Sequence, residues 1–316
     1  MNYVIIGGGT AAVGTIEGIR AVDQTGPITV ISDEPYPVYG RPLISYLLLG
    51  KTTEEKMLRY RPADFYEKNG VTTLLGRRAA KVDAAAKTVV LEDGAAVPYD
   101  KLCLCTGSRP FVPPMEGLDA VENKTSFMTL DDAKRLDALL GAGNDRRVLI
   151  VGAGLIGLKC AEGIQQRVSE LTVIDLAPRI LPNVLTEAPA AIIQKHLEGK
   201  GVRFLLGDSV ARFEPHTAYL KSGGTVDFDV LVVAVGVRPN IELAADTGCA
   251  VERGILIDEH SATTVSDIYA AGDCTVSHDI AAETDRILAI LPNAYMQGET
   301  AGKAMAGGSA CFDKAI

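Results

Sequence analysis

At 316 residues the chain is long enough to bury the cores of two ordinary domains. Its 47% hydrophobic and 22% charged content excludes a disordered chain, and a formal charge of −9 argues against nucleic acid, whose backbone calls for a basic face. The amino terminus enters a strand with no basic leader, no apolar run approaches the roughly 18 residues of a membrane span, and the cysteines lack paired CxxC spacing, so the expectation is a cytoplasmic protein with reduced thiols.

In chain order, an apolar run over residues 4–6 stops at Gly7-Gly8-Gly9, and a helix is predicted over 11–22. Gly7 permits a tight turn, Gly9 lets backbone approach a pyrophosphate, and Ala12 is small enough for helix to rest on strand. The helix would aim its unpaired N–H groups at the phosphates. A second strand over 28–31 ends in Ser32-Asp33-Glu34, and a carboxylate there is placed to accept from an adenosine ribose. Asp33 and Glu34 are both candidates. Prolines 35, 37 and 42 preclude an ordinary helix at the start of the segment 35–51, while the apolar run 43–49 could begin one. The pattern predicts an amphipathic helix over 61–70 and strands over 71–75 and 87–91. A buried strand from Tyr99 then runs into the turn Cys105-Thr106-Gly107-Ser108-Arg109-Pro110. Cys103 and Cys105 share one side of that strand and are assigned to core packing, because the sequence supplies no further metal ligands.

Pro110, Pro113, Pro114 and Gly117 mark a linker, followed by a predicted helix over 130–140. The opening pattern then returns. Gly152, Gly154 and Gly157 stand at GxGxxG spacing between a strand and a helix, and Gly152 lies 145 residues beyond Gly7. The next strand, 171–174, ends in Asp175, whose charge favours NAD over NADP by repelling a 2′-phosphate, although Arg179 lies close by in sequence. Further strands are predicted over 202–207 and 229–235. The latter runs into Gly236-Val237-Arg238-Pro239-Asn240, echoing the earlier Gly107–Pro110 turn. An apolar strand ending in Gly272-Asp273-Cys274 and a helix over 293–306 close the chain.

Both glycine fingerprints, the two echoing turns and the Ile268–Cys274 segment together resemble the pyridine-nucleotide–disulfide oxidoreductase superfamily, in the right order and over essentially the whole chain. The resemblance implies an α/β fold of two Rossmann-like three-layer dinucleotide-binding domains. An FAD domain would comprise residues 1–112 and 240–316, an NAD domain would be inserted at 113–239, and the usual C-terminal interface domain would be absent. Glu34-Pro35, Tyr39, Arg41-Pro42, Leu43 and Ser45 are similar to the branch containing rubredoxin and ferredoxin reductases, nitrite reductase flavin subunits, NADH oxidases and apoptosis-inducing factor. Disulfide reductases place a redox cysteine in this region, and none lies between Met1 and Lys101 here. Small thioredoxin reductases keep CxxC in the NAD domain, whereas residues 113–240 contain only Cys160.

Carried over residue by residue, the resemblance implies that Gly7, Gly9, Thr10, Ala11 and Ala12 cradle the FAD pyrophosphate, with Asp33 and Glu34 at its ribose. Arg41, Thr106, Gly107 and Arg109 would approach FAD, and Gly272-Asp273 would bind its ribityl and phosphate region. Leu291, Pro292 and Asn293, at a helix start, would stabilise charge on the reduced ring. Gly152, Gly154, Leu155, Ile156, Gly157, Asp175 and Gly236 would bind NAD. His196, His216, His260 and His278 match no motif. Two positions depart from the family: Lys159 stands where relatives carry Glu, and Tyr46 where they carry the Lys that pairs with it. The expectation is that Lys159 supplies a cation at the catalytic site without the Glu–Lys ion pair of those relatives. The function implied is FAD-dependent NADH oxidation, with electrons passed to rubredoxin, ferredoxin, another iron–sulfur partner or dioxygen. An FAD- and NAD(H)-binding sensor or assembly subunit is the alternative, a disulfide reductase fits less well, and homo-oligomerisation is compatible with either.

Overall fold

Tyr3–Ile6 is buried at every position, as a central strand covered on both faces requires. It pairs in parallel with Ile28–Ser32 on one side and Lys101–Leu104 on the other. Val71–Leu75 and Ile268–Ala270 complete a five-stranded parallel sheet, the last strand arriving from the far end of the sequence. Arg147–Val151 plays the same central part in a second parallel sheet, between Glu170–Asp175 and Val230–Val233, with Val202–Leu206 and Lys124–Thr125 at its edges. The computed structural model describes residues 1–313, and the chain divides into two compact units, one around each sheet. Unit 1 comprises Met1–Tyr39, Leu58–Arg109 and the chain from Arg238 onward; unit 2 comprises Gly40–Met57 and Pro110–Val237.

Gly40–Met57 therefore groups with unit 2, although the sequence flanking it belongs to unit 1. Its helix Ile44–Leu48 packs on the helices Leu130–Leu140 and Leu155–Ile164. Leu130–Leu140 starts on a reciprocal cap, in which Thr129 Oγ1 accepts from Asp132 N at 3.1 Å and the Asp132 carboxylate accepts from Thr129 N at 3.0 Å. The helix predicted over 61–70 forms only the turn Phe65–Lys68. Pro62 disfavours helical backbone at Arg61 before it, and Gly70, at φ +57°, ends the turn. The pattern also misses the helix Glu187–Glu198, where Ala190 alone is buried, so no apolar period marks it. Of two antiparallel three-stranded meanders, the pattern finds only the middle strand, Thr88–Leu91, of the one beginning at Ala79–Asp83, and it misses the one beginning at Val210–Glu214.

In unit 1 the helix after the first glycine turn, Thr10–Val22, and the helix Leu291–Met305 approach until backbone meets backbone. A Cβ added at Gly14 would lie 2.2 Å from Tyr295 O, and one at Gly18 2.3 Å from Glu299 O. From the other side, a Cβ at Gly298 would meet Ala11 O at 2.1 Å, and one at Gly302 would meet Thr15 O at 2.2 Å. Each helix thus offers two glycines four residues apart, on one face. A polar clasp flanks the seam: Tyr295 OH donates to Glu17 at 2.5 Å, and Arg61 donates twice to the same carboxylate, at 2.9 and 3.2 Å. Burial pushes Glu17 upward, but the hydrogen bonds from Arg61 and Tyr295 outweigh it and leave the carboxyl below its ordinary range. Gly298→Val must push the two helices apart, and the expected loss is about 3 kcal/mol or more. Urea denaturation measures it, and an unchanged midpoint would contradict the packing described.

Candidate functional site

Each sheet carries a glycine turn built to the same plan. In unit 1, Gly7 sits at φ +118°, and a Cβ on it would lie 2.0 Å from Cys105 O, so both conformation and space require glycine. Gly9 caps the helix at an ordinary φ of −90°, and a Cβ there would meet nothing within 4 Å. The protein therefore leaves open space above Gly9, at the positive end of a 13-residue helix. Thr10, Ala11 and Ala12 are buried behind it.

A cavity of about 560 Å³ opens beside this turn, lined by Gly7, Asp33, Thr106, Arg109, Asn240 and Glu242 among others. Asp33 faces the cavity, whereas Glu34 accepts from Tyr39 OH at 2.6 Å, which separates the two sequence candidates. Arg109 is held at the rim by Asn240 Oδ1 at 2.7 Å and Glu242 at 2.6 Å. Burial pushes Glu242 upward, but Arg109 overcomes this and holds its carboxyl below the usual range. Asn240 also donates to Thr106 O at 2.8 Å, while Thr106 Oγ1 donates to Asn240 O at 2.7 Å. Sequence reasoning assigned no role to Asn240 or Glu242; the echo between the two Gly-x-Arg-Pro turns was the available signal. Arg77 and Arg78 line the same cavity, paired with Asp93 and Glu92, and no motif marked them.

Gly272 turns at φ +86°, and its N–H donates to Gln297 Oε1 at 2.8 Å. Gln297 is 1% exposed and donates in turn to Ser277 Oγ at 2.9 Å, so a side chain unmarked by any motif fixes the Gly272-Asp273 bend. Ser108 Oγ donates to Asp273 at 3.2 Å. Asn293 is fully buried in the first turn of Leu291–Met305, with Pro292 inside that turn and Leu291 exposed. Beneath the first turn, Cys103 and Cys105 stand 3.6 Å apart at sulfur, both buried beside Thr15. The Cys103 thiol and burial push Cys105 well up, and burial pushes Cys274 up to about 12. Burial likewise raises Cys160. Cys105, Cys160 and Cys274 therefore stay protonated at neutral pH and offer no thiolate nucleophile. All four histidines are exposed, and among the described residues no group of His, Cys, Asp or Glu could hold a metal ion.

The turn of unit 2 repeats the plan. Gly152 sits at φ +116°, and its Cβ would lie 2.2 Å from Ala234 O; Gly157 packs so tightly that a Cβ would stand 1.9 Å from Gly152 O. Gly154, like Gly9, faces open space, as does Gly236 at φ +127°. Leu155 is exposed. Asp175 accepts from Ala153 N at 2.6 Å and Ala177 N at 2.7 Å, so it braces the turn as well as ending the strand. Arg179 donates to Leu185 O at 3.3 Å and Pro182 O at 3.0 Å, which commits its guanidinium to backbone carbonyls. The two departures from the family meet: Lys159 Nζ stands 4.5 Å from the centroid of the Tyr46 ring and is also paired with Glu162. Arg41, implied to approach FAD, falls in the segment grouped with unit 2, and its guanidinium lies 3.5 Å from Met128 O.

The pyridine nucleotide-disulphide oxidoreductase family matches residues 1–298. The NADH-dependent phenylglyoxylate dehydrogenase subunit epsilon of Aromatoleum evansii is 32% identical over 97% of this chain and 72% of its own length. The nitrite reductase [NAD(P)H] of Bacillus subtilis is 34% identical over 89% of this chain, which spans only 35% of that protein. Among solved structures, the covalent putidaredoxin reductase–putidaredoxin complex matches with a TM-score of 0.91 at 29% identity, over 98% of this chain and 76% of the matched chain. No helix among the described residues is long and apolar enough to cross a membrane.

Gly9→Val and Gly154→Val each put a side chain into space that the protein leaves open. Both variants should melt within about 2–4 °C of the parent, the cost of an altered helix cap. Gly9→Val should nonetheless lose FAD, and Gly154→Val should lose NAD(H). Thermal melting with equilibrium dialysis checks both, and undiminished binding would show that these glycines border no cofactor.

Proposed function

The chain belongs to the pyridine nucleotide-disulphide oxidoreductase family, and from that premise we propose that it is an FAD-dependent NADH oxidoreductase passing electrons to a protein carrier or to dioxygen. The observation that carries this reading is the duplication: two parallel sheets, each with a helix-capping glycine open to ligand and an acidic residue ending the next strand. FAD is assigned to unit 1 and NAD(H) to unit 2. The flavin, when bound, supplies hydride acceptance and onward electron transfer.

The work of this chain's own residues is to bind and orient. In unit 1, the open face at Gly9 and the amino terminus of Thr10–Val22 receive a pyrophosphate, Asp33 accepts from ribose hydroxyls, and Arg109 contributes positive charge at the cavity rim. Asp273 serves the ribityl region, and the first turn of Leu291–Met305 places its positive dipole end where the reduced ring gains charge. In unit 2, Gly154 and Gly236 leave room for the second dinucleotide and Asp175 takes its ribose. No nucleophile or base is needed, which agrees with the protonated, buried thiols.

Asp175 favours NADH because a 2′-phosphate would face its carboxylate, and Arg179, tied to Leu185 O and Pro182 O, does not offset that charge. The double variant Asp175→Ala with Leu176→Arg should shift the ratio of kcat/KM values toward NADPH by about 100-fold or more. It should also weaken NADH, since Ala153 N and Ala177 N lose their acceptor. Steady-state kinetics with both coenzymes read the change, and an unaltered ratio would reject Asp175 as the discriminating group.

A protein acceptor is supported by the relative solved as a covalent complex with putidaredoxin. The relative from Aromatoleum evansii is one subunit of its enzyme, which favours a second reading in which this chain serves a larger assembly. Anaerobic stopped-flow mixing with NADH separates the two. Bleaching of the flavin band within milliseconds to seconds, with reoxidation by added ferredoxin, rubredoxin or air, is the result expected of the oxidoreductase. Reduction over many minutes would point to a binding or assembly role, and a colourless polypeptide that refuses FAD would reject both.

A further inference from the structure

The bend at Gly272, at φ +86°, has no side chain of its own to fix it. Buried side chains grip it instead. Gly272 N donates to Gln297 Oε1 at 2.8 Å, and Gln297 Nε2 donates to Ser277 Oγ at 2.9 Å. A backbone N–H can only donate, so this contact decides which end of the amide faces the bend. Gly272 O accepts from Thr275 N at 2.9 Å and from Thr275 Oγ1 at 2.8 Å. Ser261 Oγ donates to Gln297 O at 3.1 Å, which ties down the helix backbone at the same point. Ser261, Thr275, Ser277 and Gln297 are all buried. A Cβ on Gly272 would stand 3.1 Å from Ala11 Cβ and 3.5 Å from Ala294 Cβ, so the bend lies against the first turns of both Thr10–Val22 and Leu291–Met305.

We infer that Gln297 is a positioning residue for the flavin half of FAD: its amide holds the Gly272 backbone, and through it aims the Asp273 carboxylate that follows. This rests on the assignment of FAD to unit 1 and of Asp273 to its ribityl chain. A carboxylate accepts from the hydroxyls of a polyol and repels a phosphate, so Asp273 serves the ribityl chain and not the pyrophosphate. One peptide links Gly272 to Asp273, and a rotation at the glycine swings the carboxylate. Glycine is the residue freest to rotate, and Gln297 removes that freedom where no Cβ can. Ser108 Oγ, donating to Asp273 at 3.2 Å, steadies the carboxylate itself but not the peptide before it. Without the Gln297 amide the Gly272 N–H is left buried with no acceptor, and the bend relieves that cost by turning.

Equilibrium dialysis of the flavin-loaded protein against graded FAD gives its Kd. ADP added to the dialysate reports, through the FAD it displaces, how well the same site holds the half of the coenzyme that lacks ribityl chain and ring. Gln297→Met, close to glutamine in length but without its hydrogen bonds, should raise the Kd for FAD roughly tenfold and leave that for ADP within about twofold of the parent. Ser277→Ala, which unpins only the far end of the amide, should weaken FAD about two- to threefold and spare ADP, and it carries the test if Gln297→Met does not fold. In an Asp273→Ala background, Gln297→Met should cost FAD nothing further, because both changes remove one coupled feature. Parent-like FAD binding in Gln297→Met would overturn the role of Gln297. So would equal losses for FAD and ADP, the result expected of a purely structural residue. A parent protein that retains no FAD would instead overturn the assignment of the coenzyme to unit 1.

Discussion

The close crossing of Thr10–Val22 and Leu291–Met305 is the constraint on which unit 1 depends. Four glycines in two helices are unfavourable for helix formation alone, at about 1 kcal/mol each. Their presence is accounted for by what they permit: carbonyl oxygens of one helix occupy the places where side chains of the other would stand. Because one helix lies near the start of the chain and the other near its end, this seam closes the unit around its sheet. It also shapes a turn proposed to bind a ligand. Gln297, one residue before Gly298, reaches from the seam to the Gly272 amide, so the packing of the helices and the shape of the Asp273 turn are set together.

The two glycine turns show how one backbone solution is enforced by different neighbours. Gly7 is crowded by the carbonyl of Cys105 and Gly152 by that of Ala234, each from the adjoining strand or its continuation. The third position tolerates alanine in one case, Ala12, while Gly157 has no such latitude, with Gly152 O in the place of a Cβ. The carboxylates that follow also differ. Asp33 faces a cavity, whereas Asp175 is already engaged by two backbone amides, so the second turn is braced by the same group that is proposed to meet ribose. A change at Asp175 therefore alters the shape of the turn as well as its charge.

The chemistry of the sulfurs is consistent with a chain whose redox work is done by coenzymes. Cys103, Cys105 and Cys274 are buried around the base of the first turn, where they fill space, and burial keeps the Cys105 and Cys274 thiols neutral. Asp33 and Arg109 line the cavity beside that turn and are proposed to orient a ligand there by hydrogen bonding and charge. The proposed coenzyme preference likewise turns on a small electrostatic choice, Arg179 folded onto carbonyl oxygens.

The sequence alone determined both glycine turns and the parallel strands of the two main sheets other than the short edge strand Lys124–Thr125, because consecutive apolar residues, a glycine at a forced backbone angle and a carboxylate at a strand end are local demands written at fixed spacing. Leu130–Leu140 was legible for the same reason, with its cap and apolar period adjacent in the chain. Tertiary structure decided what depends on distant partners: the pairing of Gly14 and Gly18 with the helix of Gly298 and Gly302, the grip of Asn240 and Glu242 on Arg109, the choice of Asp33 over Glu34 at the cavity, and the meeting of Tyr46 with Lys159 across 113 residues. A glycine reads alike whether it frees a turn or admits a neighbouring helix, and a surface lysine reads alike whether it faces water or a ring. Only the packed fold distinguishes them.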